Sequence, residues 1–204
     1  VDLVELMELR EAIHQEVCTR GFDAERNTFT QSYGSRELDA ALLLIPRTGF
    51  LPPDDPRVVG TVAAVRRELA TPQGLVHRYP TAGHEKGVDG LDGDEGAFLL
   101  CSFWLVDALA LTGQITDTRS LFERLLEVRS DLGLLAEEYD PVSGRQLGNF
   151  PQAFSHMGLI QSALLLQQLA TQSSPHRGAV AVPTPRSPSL GSLQNRKALT
   201  SQHA

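Results

Sequence analysis

The sequence predicts an all-α chain of about six helices. Three observations predict it. Apolar residues recur at helical spacing in six separate stretches. No stretch between them alternates apolar and polar residues over a strand's length. Strongly apolar helices also alternate with amphipathic ones along the chain.

The first helix carries Leu3, Leu6, Leu9, Ile13 and Val17 and stops at Gly21. The second is expected to open at Ser35 or Arg36, run through Leu38, Ala41, Leu42 and Ile45, and stop at Pro46. Its Ala-Ala-Leu-Leu-Leu-Ile core is apolar nearly all round, so burial on both sides is expected. Asp55-Pro56 is an N-cap followed by proline at the first helical position, and it opens a third helix through Val58, Val62, Val65 and Leu69. A fourth, strongly apolar helix is expected from Glu95 to Leu111. The fifth is capped at Thr116 or Asp117 and carries Leu121, Leu125 and Val128. The sixth begins at Pro151 and runs through Phe154, Met157, Ile160, Leu164 and Leu169.

Helices two, four and six are the apolar members; one, three and five are amphipathic. That alternation predicts two concentric layers, with the apolar helices inside. The long loops Gly21–Gly34, Thr71–Gly93 and Gly133–Phe150 each leave an outer helix and enter an inner one, so they are expected to gather at one mouth of an α/α toroid. A plain bundle or repeat array competes, but no repeat of fixed period occurs in the sequence.

Composition narrows the function. Hydrophobic residues make up 41% of the 204, enough for a core. The net charge of −7 argues against nucleic acid or an anionic membrane as partner. The apolar run Ala97–Leu111 is interrupted by Ser102 and Asp107 and is short for a membrane span. Two cysteines, Cys18 and Cys101, are too few for a disulfide framework or a zinc site and fit a cytoplasmic setting. The start, Val1-Asp2-Leu3-Val4-Glu5, has no cationic or apolar leader character, so no signal peptide is expected. Opening on Val rather than Met hints at residues upstream. The residues from Thr171 to Ala204 contain no acid, six serines and four prolines, which predicts a disordered tail (171–204) after a helical domain (1–170).

The loop Ala136-Glu137-Glu138-Tyr139-Asp140 concentrates carboxylates ahead of a turn at Ser143-Gly144. Acid/base work on a glycosidic bond needs carboxylates. Neighbours in an extended segment point opposite ways, so Glu137 and Glu138 are not expected to work as a pair. Acidic loops are more often simply solvated. Trp104 and Phe103, inside an apolar helix, read as core before sugar platform. His156 reads as a hydrogen-bonded structural histidine before a catalyst. Asp89, Asp92, Asp94 and Glu95 surround glycines, but their spacing is not that of a calcium loop, and no metal or cofactor is expected. A carboxylate at Glu95 also suits the first turn of the expected fourth helix.

Ala136–Asp140, followed by Gly144, Gln146-Leu147 and Phe154-Ser155, resembles the base segment of family 15 glycoside hydrolases, the glucoamylase family. The bacterial branch, which includes trehalases, is more similar still. It shares Gln31–Ser35, Leu51–Arg57, Glu95–Leu99, Cys101–Leu105 and Gly148–His156, in one order over roughly Glu16 to Gln168. The resemblance implies part of an (α/α)6 toroid and an inverting, exo-acting α-glucosidase whose substrate is an oligosaccharide or disaccharide. It places the general base at Glu137. It puts Arg78, in His77-Arg78-Tyr79-Pro80, among the sugar-binding residues, where a guanidinium holds two hydroxyls at once. An ion pair of Arg78 with Glu85 or Asp89 is the plain alternative. Glu138, Tyr139 and Glu95 are implied near the pocket, and Phe154 stands where fungal members carry Trp, keeping the stacking surface without the indole donor. The family's general acid lies in a Trp-Glu segment, and no Trp-Glu occurs here. The expected reading is therefore a portion of the enzyme that lacks its acid and is inactive alone. A catalytically inactive sugar-binding or scaffold fragment is the alternative.

Overall fold

A computed structural model describes residues 2–80 and 95–173. Helix α1 spans Leu3–Arg20, with the Asp2 carboxylate accepting from the Val4 amide at 2.9 Å. A two-stranded hairpin follows, β1 (Phe22–Asp23) with β2 (Thr28–Phe29). A 3-10 turn (Ala40–Leu44) runs into the one-turn helix α2 (Ile45–Thr48). Then come α3 (Pro56–Leu69), β3 (Ala97–Phe98), α4 (Leu99–Leu111), α5 (Ile115–Glu127), the hairpin β4 (Glu138–Asp140) with β5 (Arg145–Leu147), and α6 (Ala153–Ser173). The chain is helical as expected. The cap at Asp55-Pro56 forms as read, the carboxylate accepting from Arg57 N at 2.9 Å.

Several expected boundaries shift: the fifth helix starts at Ile115 after Gln114 rather than at a cap on Thr116 or Asp117, and the sixth starts at Ala153 rather than Pro151. The second helix does not open at Ser35 or Arg36 and does not end at Pro46. Asp39 caps the segment instead, accepting from Ala41 N at 2.6 Å, and Pro46 lies at the start of α2, where its missing N–H costs nothing. The fourth helix does not begin at Glu95. Ala97 and Phe98 are strand β3, paired antiparallel with Tyr139 and Glu138, so Glu95 precedes an extended segment and not a helical turn. The short strands themselves lacked the length to show as alternation: none exceeds three residues.

The layer expectation holds best at α4. It is buried over most of its surface, including Leu99, Phe103, Leu105, Val106 and Leu109, between α3, α5 and the 3-10 turn. Helices α3 and α5 each bury one face, through Val58, Val62 and Val65 and through Leu121 and Leu125. Helix α6 departs from the expected inner position. Ser155 and Ser162 are buried, but Phe154, Met157, Ile160 and Leu164 stand exposed along one side. Helix α1 buries nothing fully, and Leu3 is 69% exposed. No helix among the described residues is long and apolar enough to cross a membrane.

An ion pair between a buried carboxylate and a partly exposed arginine ties three helices. Asp107 on α4 contacts Arg47 of α2 and accepts from Ser162 Oγ of α6 at 2.6 Å. Burial pushes the Asp107 carboxyl above the usual carboxylate range, against the opposing pull of Ser162 and Arg47. The expected disordered tail lies outside the described residues from residue 174 onward; α6 continues through Ser173.

Candidate active site

Glu137 sits at the entrance to β4, on backbone held from four sides. Its N–H donates to Asn149 O at 3.0 Å, and its carbonyl accepts from Leu99 N at 3.0 Å. The preceding Ala136 donates to Gln146 Oε1 at 2.6 Å and accepts from Ser155 Oγ at 2.7 Å. Leu135 and Ala136 are fully buried. His156 adds a clamp: Leu135 N donates to its Nε2 at 3.3 Å while its Nδ1 lies 2.8 Å from Gln152 O, an arrangement that needs the Nδ1–H tautomer. A side chain mounted on backbone this constrained keeps its aim.

The two adjacent carboxylates point apart. Glu137 Oε2 accepts from Asn149 Nδ2 at 2.8 Å and from Asn149 N at 3.2 Å. Glu138 turns to the other side of the strand, where its Oε2 accepts from Gly96 N at 2.9 Å. Burial raises the Glu138 carboxyl above its ordinary range; the Gly96 hydrogen bond opposes this and the Glu137 charge adds to it. A side chain at Gly96 would crowd the hairpin, since a Cβ would lie 3.1 Å from Tyr139 O and 3.2 Å from Glu138.

A cavity of about 160 Å³ opens beside Glu137, lined also by Arg78, Phe98, Trp104, Gln152 and Phe154. Three sequence-predicted residues, Glu137, Arg78 and Phe154, thus meet across 76 residues of chain. Arg78 Nε lies 3.9 Å from Asp39 Oδ2, and its guanidinium stands 5.4 Å from the Tyr79 ring. The Arg78 carbonyl accepts from Ala40 N at 2.9 Å, so the same segment is fastened by backbone as well. Cys101 forms part of the cavity wall, and burial pushes its thiol up to about 12, leaving it inert at ordinary pH.

The sequence model of the family described as Glycosyl hydrolases family 15 matches residues 2–164. The chain belongs to this family. Over 156 residues it is 51% identical to a trehalase of Mycobacterium tuberculosis, covering 76% of this chain and 22% of that protein. Over 160 residues it is 42% identical to a trehalase of Thermoplasma volcanium, covering 78% of this chain and 25% of that protein. The chain thus spans about a quarter of the length of these relatives. Among solved structures, a wild-type glycosidase superposes with a TM-score of 0.66 at 22% identity, covering 80% of this chain and 44% of that one. A variant glycosidase in complex with glucose superposes at 0.64, covering 82% and 44%. The helical fold is therefore that of part of a family 15 glycosidase.

The remaining predicted residues fall elsewhere. Tyr139 packs its ring against the main core. Glu95 lines a separate, larger cleft of about 660 Å³ with His77, Asp140 and Leu147. Asp140 belongs to the hairpin turn, where Ser143 Oγ, Val142 N and Ser143 N hold its carboxyl below the ordinary range. Glu85, Asp89, Asp92 and Asp94 lie outside the described residues. Of the three loops expected at one mouth, Thr71–Gly93 contributes Arg78 and Gly133–Phe150 contributes Glu137. Residues of the Gly21–Gly34 loop instead line a cleft with α1 and α2.

Sequence reasoning missed Asn149, Asp39 and Gln152. Asn149 lay inside a quoted motif, yet its partner is twelve residues away. Trp104 was read as core; it is half-buried, packs on the core and also reaches the cavity wall.

Proposed function

We propose that this family 15 chain carries the base half of the active site of an inverting, exo-acting α-glucosidase, with trehalose as its substrate. The observation that supports it is the meeting of Glu137, Arg78 and Phe154 around one small cavity. The name of the 51% identical relative supports trehalose over starch oligomers. In this reading Glu137 takes a proton from water as the water oxygen bonds to the anomeric carbon. The glycosidic C–O electron pair leaves with the departing sugar oxygen, which takes a proton from a general acid. Inversion needs two carboxyl groups roughly 6.5–9.5 Å apart, one on each side of the bond. Glu137 is the one carboxylate lining this cavity among the described residues, so the acid is proposed to come from sequence outside this chain. Arg78, braced by Asp39, would grip sugar hydroxyls, and Phe154 and Trp104 would offer apolar faces to the ring.

The same single carboxylate favours a second reading for the chain alone, a sugar-binding fragment without turnover. Both cysteines are free thiols, which supports a cytoplasmic setting. The test is glucose release from trehalose and maltose, by the complete gene product and by residues 1–204 in parallel, with the anomer followed by proton NMR. Early appearance of the β-anomer is expected from the complete protein. The glucose that leaves trehalose keeps its α configuration, so inversion gives equal α- and β-glucose at first; α-glucose alone would refute inversion, and turnover by 1–204 would refute the outside acid.

A further inference from the structure

We infer that Asn149 is the positioning residue of the base, holding Glu137 by Oε2 and leaving Oε1 as the oxygen that receives the proton from water. The inference rests on Glu137 being the base.

Both donors of Asn149 fall on one oxygen. The side-chain amide reaches Glu137 Oε2 at 2.8 Å and the backbone amide reaches it at 3.2 Å, while Glu137 N donates back to Asn149 O at 3.0 Å. Two residues are thereby locked face to face by three hydrogen bonds. Among the described residues nothing donates to Oε1. A carboxylate gripped at one oxygen cannot spin about its terminal torsion, which is otherwise soft. Its free oxygen then keeps one direction.

The chain also makes room for this grip. Gly148 adopts φ +72, and a Cβ there would lie 2.9 Å from Glu137 Oε2 and 3.0 Å from Glu137 Cβ. The glycine leaves open the space the held oxygen occupies. The group at 149 must be a neutral hydrogen-bond donor. A carboxylate at position 149 would face Oε2 with like charge and offer no hydrogen.

That chemistry separates donation from shape. Asn149→Asp is nearly isosteric but removes the side-chain donor and adds charge; Asn149→Ala removes the contact alone. Steady-state kinetics on trehalose with the complete enzyme, beside thermal melts, read the difference. The expected order of kcat is Asn, then Ala about tenfold lower, then Asp about a hundredfold lower, with KM changing by less than about threefold. A structural role would make Asp the milder change and would move the melt instead. An Asp variant as active as the Ala variant, or more so, overturns the inference. If the Asp variant melts below the assay temperature, Asn149→Ser replaces it. A short donor should place kcat between wild type and Ala, and a value at or below Ala overturns the inference equally. Glu137→Gln, run alongside, isolates the premise: near-normal turnover there means the base lies elsewhere, whatever position 149 does.

Discussion

Gly148→Ala puts the geometry around Glu137 under a direct test. The backbone at 148 is left-handed, φ +72, where a side chain costs about 1–2 kcal/mol. Beyond that, the new methyl would sit 2.9 Å from Glu137 Oε2, closer than real Cβ contacts come. The cheapest relief is rotation of the Glu137 side chain away from Asn149. Gly144→Ala is the control. Its φ is +70, so the backbone cost matches, but the nearest atom is Tyr139 Oη at 3.7 Å, an ordinary contact. Both variants should therefore lose about 1–2 kcal/mol, seen as a similar fall of a few degrees in thermal midpoint. Only Gly148→Ala should lose turnover, by about 10–100-fold, because a misplacement near 1 Å at a reacting group costs on that order. Glucose release from trehalose by the complete enzyme, with melts of both variants, reads the two effects separately. Wild-type kcat in Gly148→Ala, or an equal loss in Gly144→Ala, would refute the steric argument.

Other outcomes follow from the same structure. Glu137→Gln should lower kcat by about 10²–10⁴-fold with sugar affinity nearly kept, as read by kinetics and product-binding calorimetry, because an amide accepts no proton from water. The raised Asp107 carboxyl means the folded state holds that proton more tightly than the unfolded chain. Its contribution to stability is thus full below the ordinary carboxylate value and is lost as pH rises through the folded one. Asp107→Asn should flatten that slope in melts taken across acidic pH, and an unchanged slope would assign it to other groups. Residues 1–204 alone should release no measurable glucose and should self-associate with rising concentration in sedimentation. The exposed apolar stripes of α1 and α6, Phe154 at 61% and Ile160 at 58% among them, each forfeit about 1.5–3 kcal/mol per large side chain left in water. A monodisperse monomer with a sharp melt would contradict this.

The local signals were legible and the long-range ones were not. Helix α3 was readable from Asp55-Pro56 and its apolar period because capping and periodicity act within a few residues. The Glu137 segment was readable as a run of carboxylates with a turn after it, and the opposite aim of Glu137 and Glu138 followed from strand alternation alone. Extended structure at Ala97–Phe98 was not readable. Those residues carry a helical pattern, and only pairing with Tyr139 and Glu138, some forty residues on, holds them straight.

What the sequence by itself determined was the set of helices, the all-α class and the residues with the right chemistry, since these depend on neighbours a turn away. What only the tertiary structure decided was which of those residues share a cavity. Arg78 comes to Glu137 through a backbone hydrogen bond to Ala40 and an ion pair with Asp39. Glu95 and Tyr139, as near in sequence to the carboxylate loop or its partner strand, go elsewhere: Glu95 lines a separate cleft and Tyr139 packs against the main core. A period of two sends adjacent side chains to opposite faces, and which face meets the cavity is set by packing against α4.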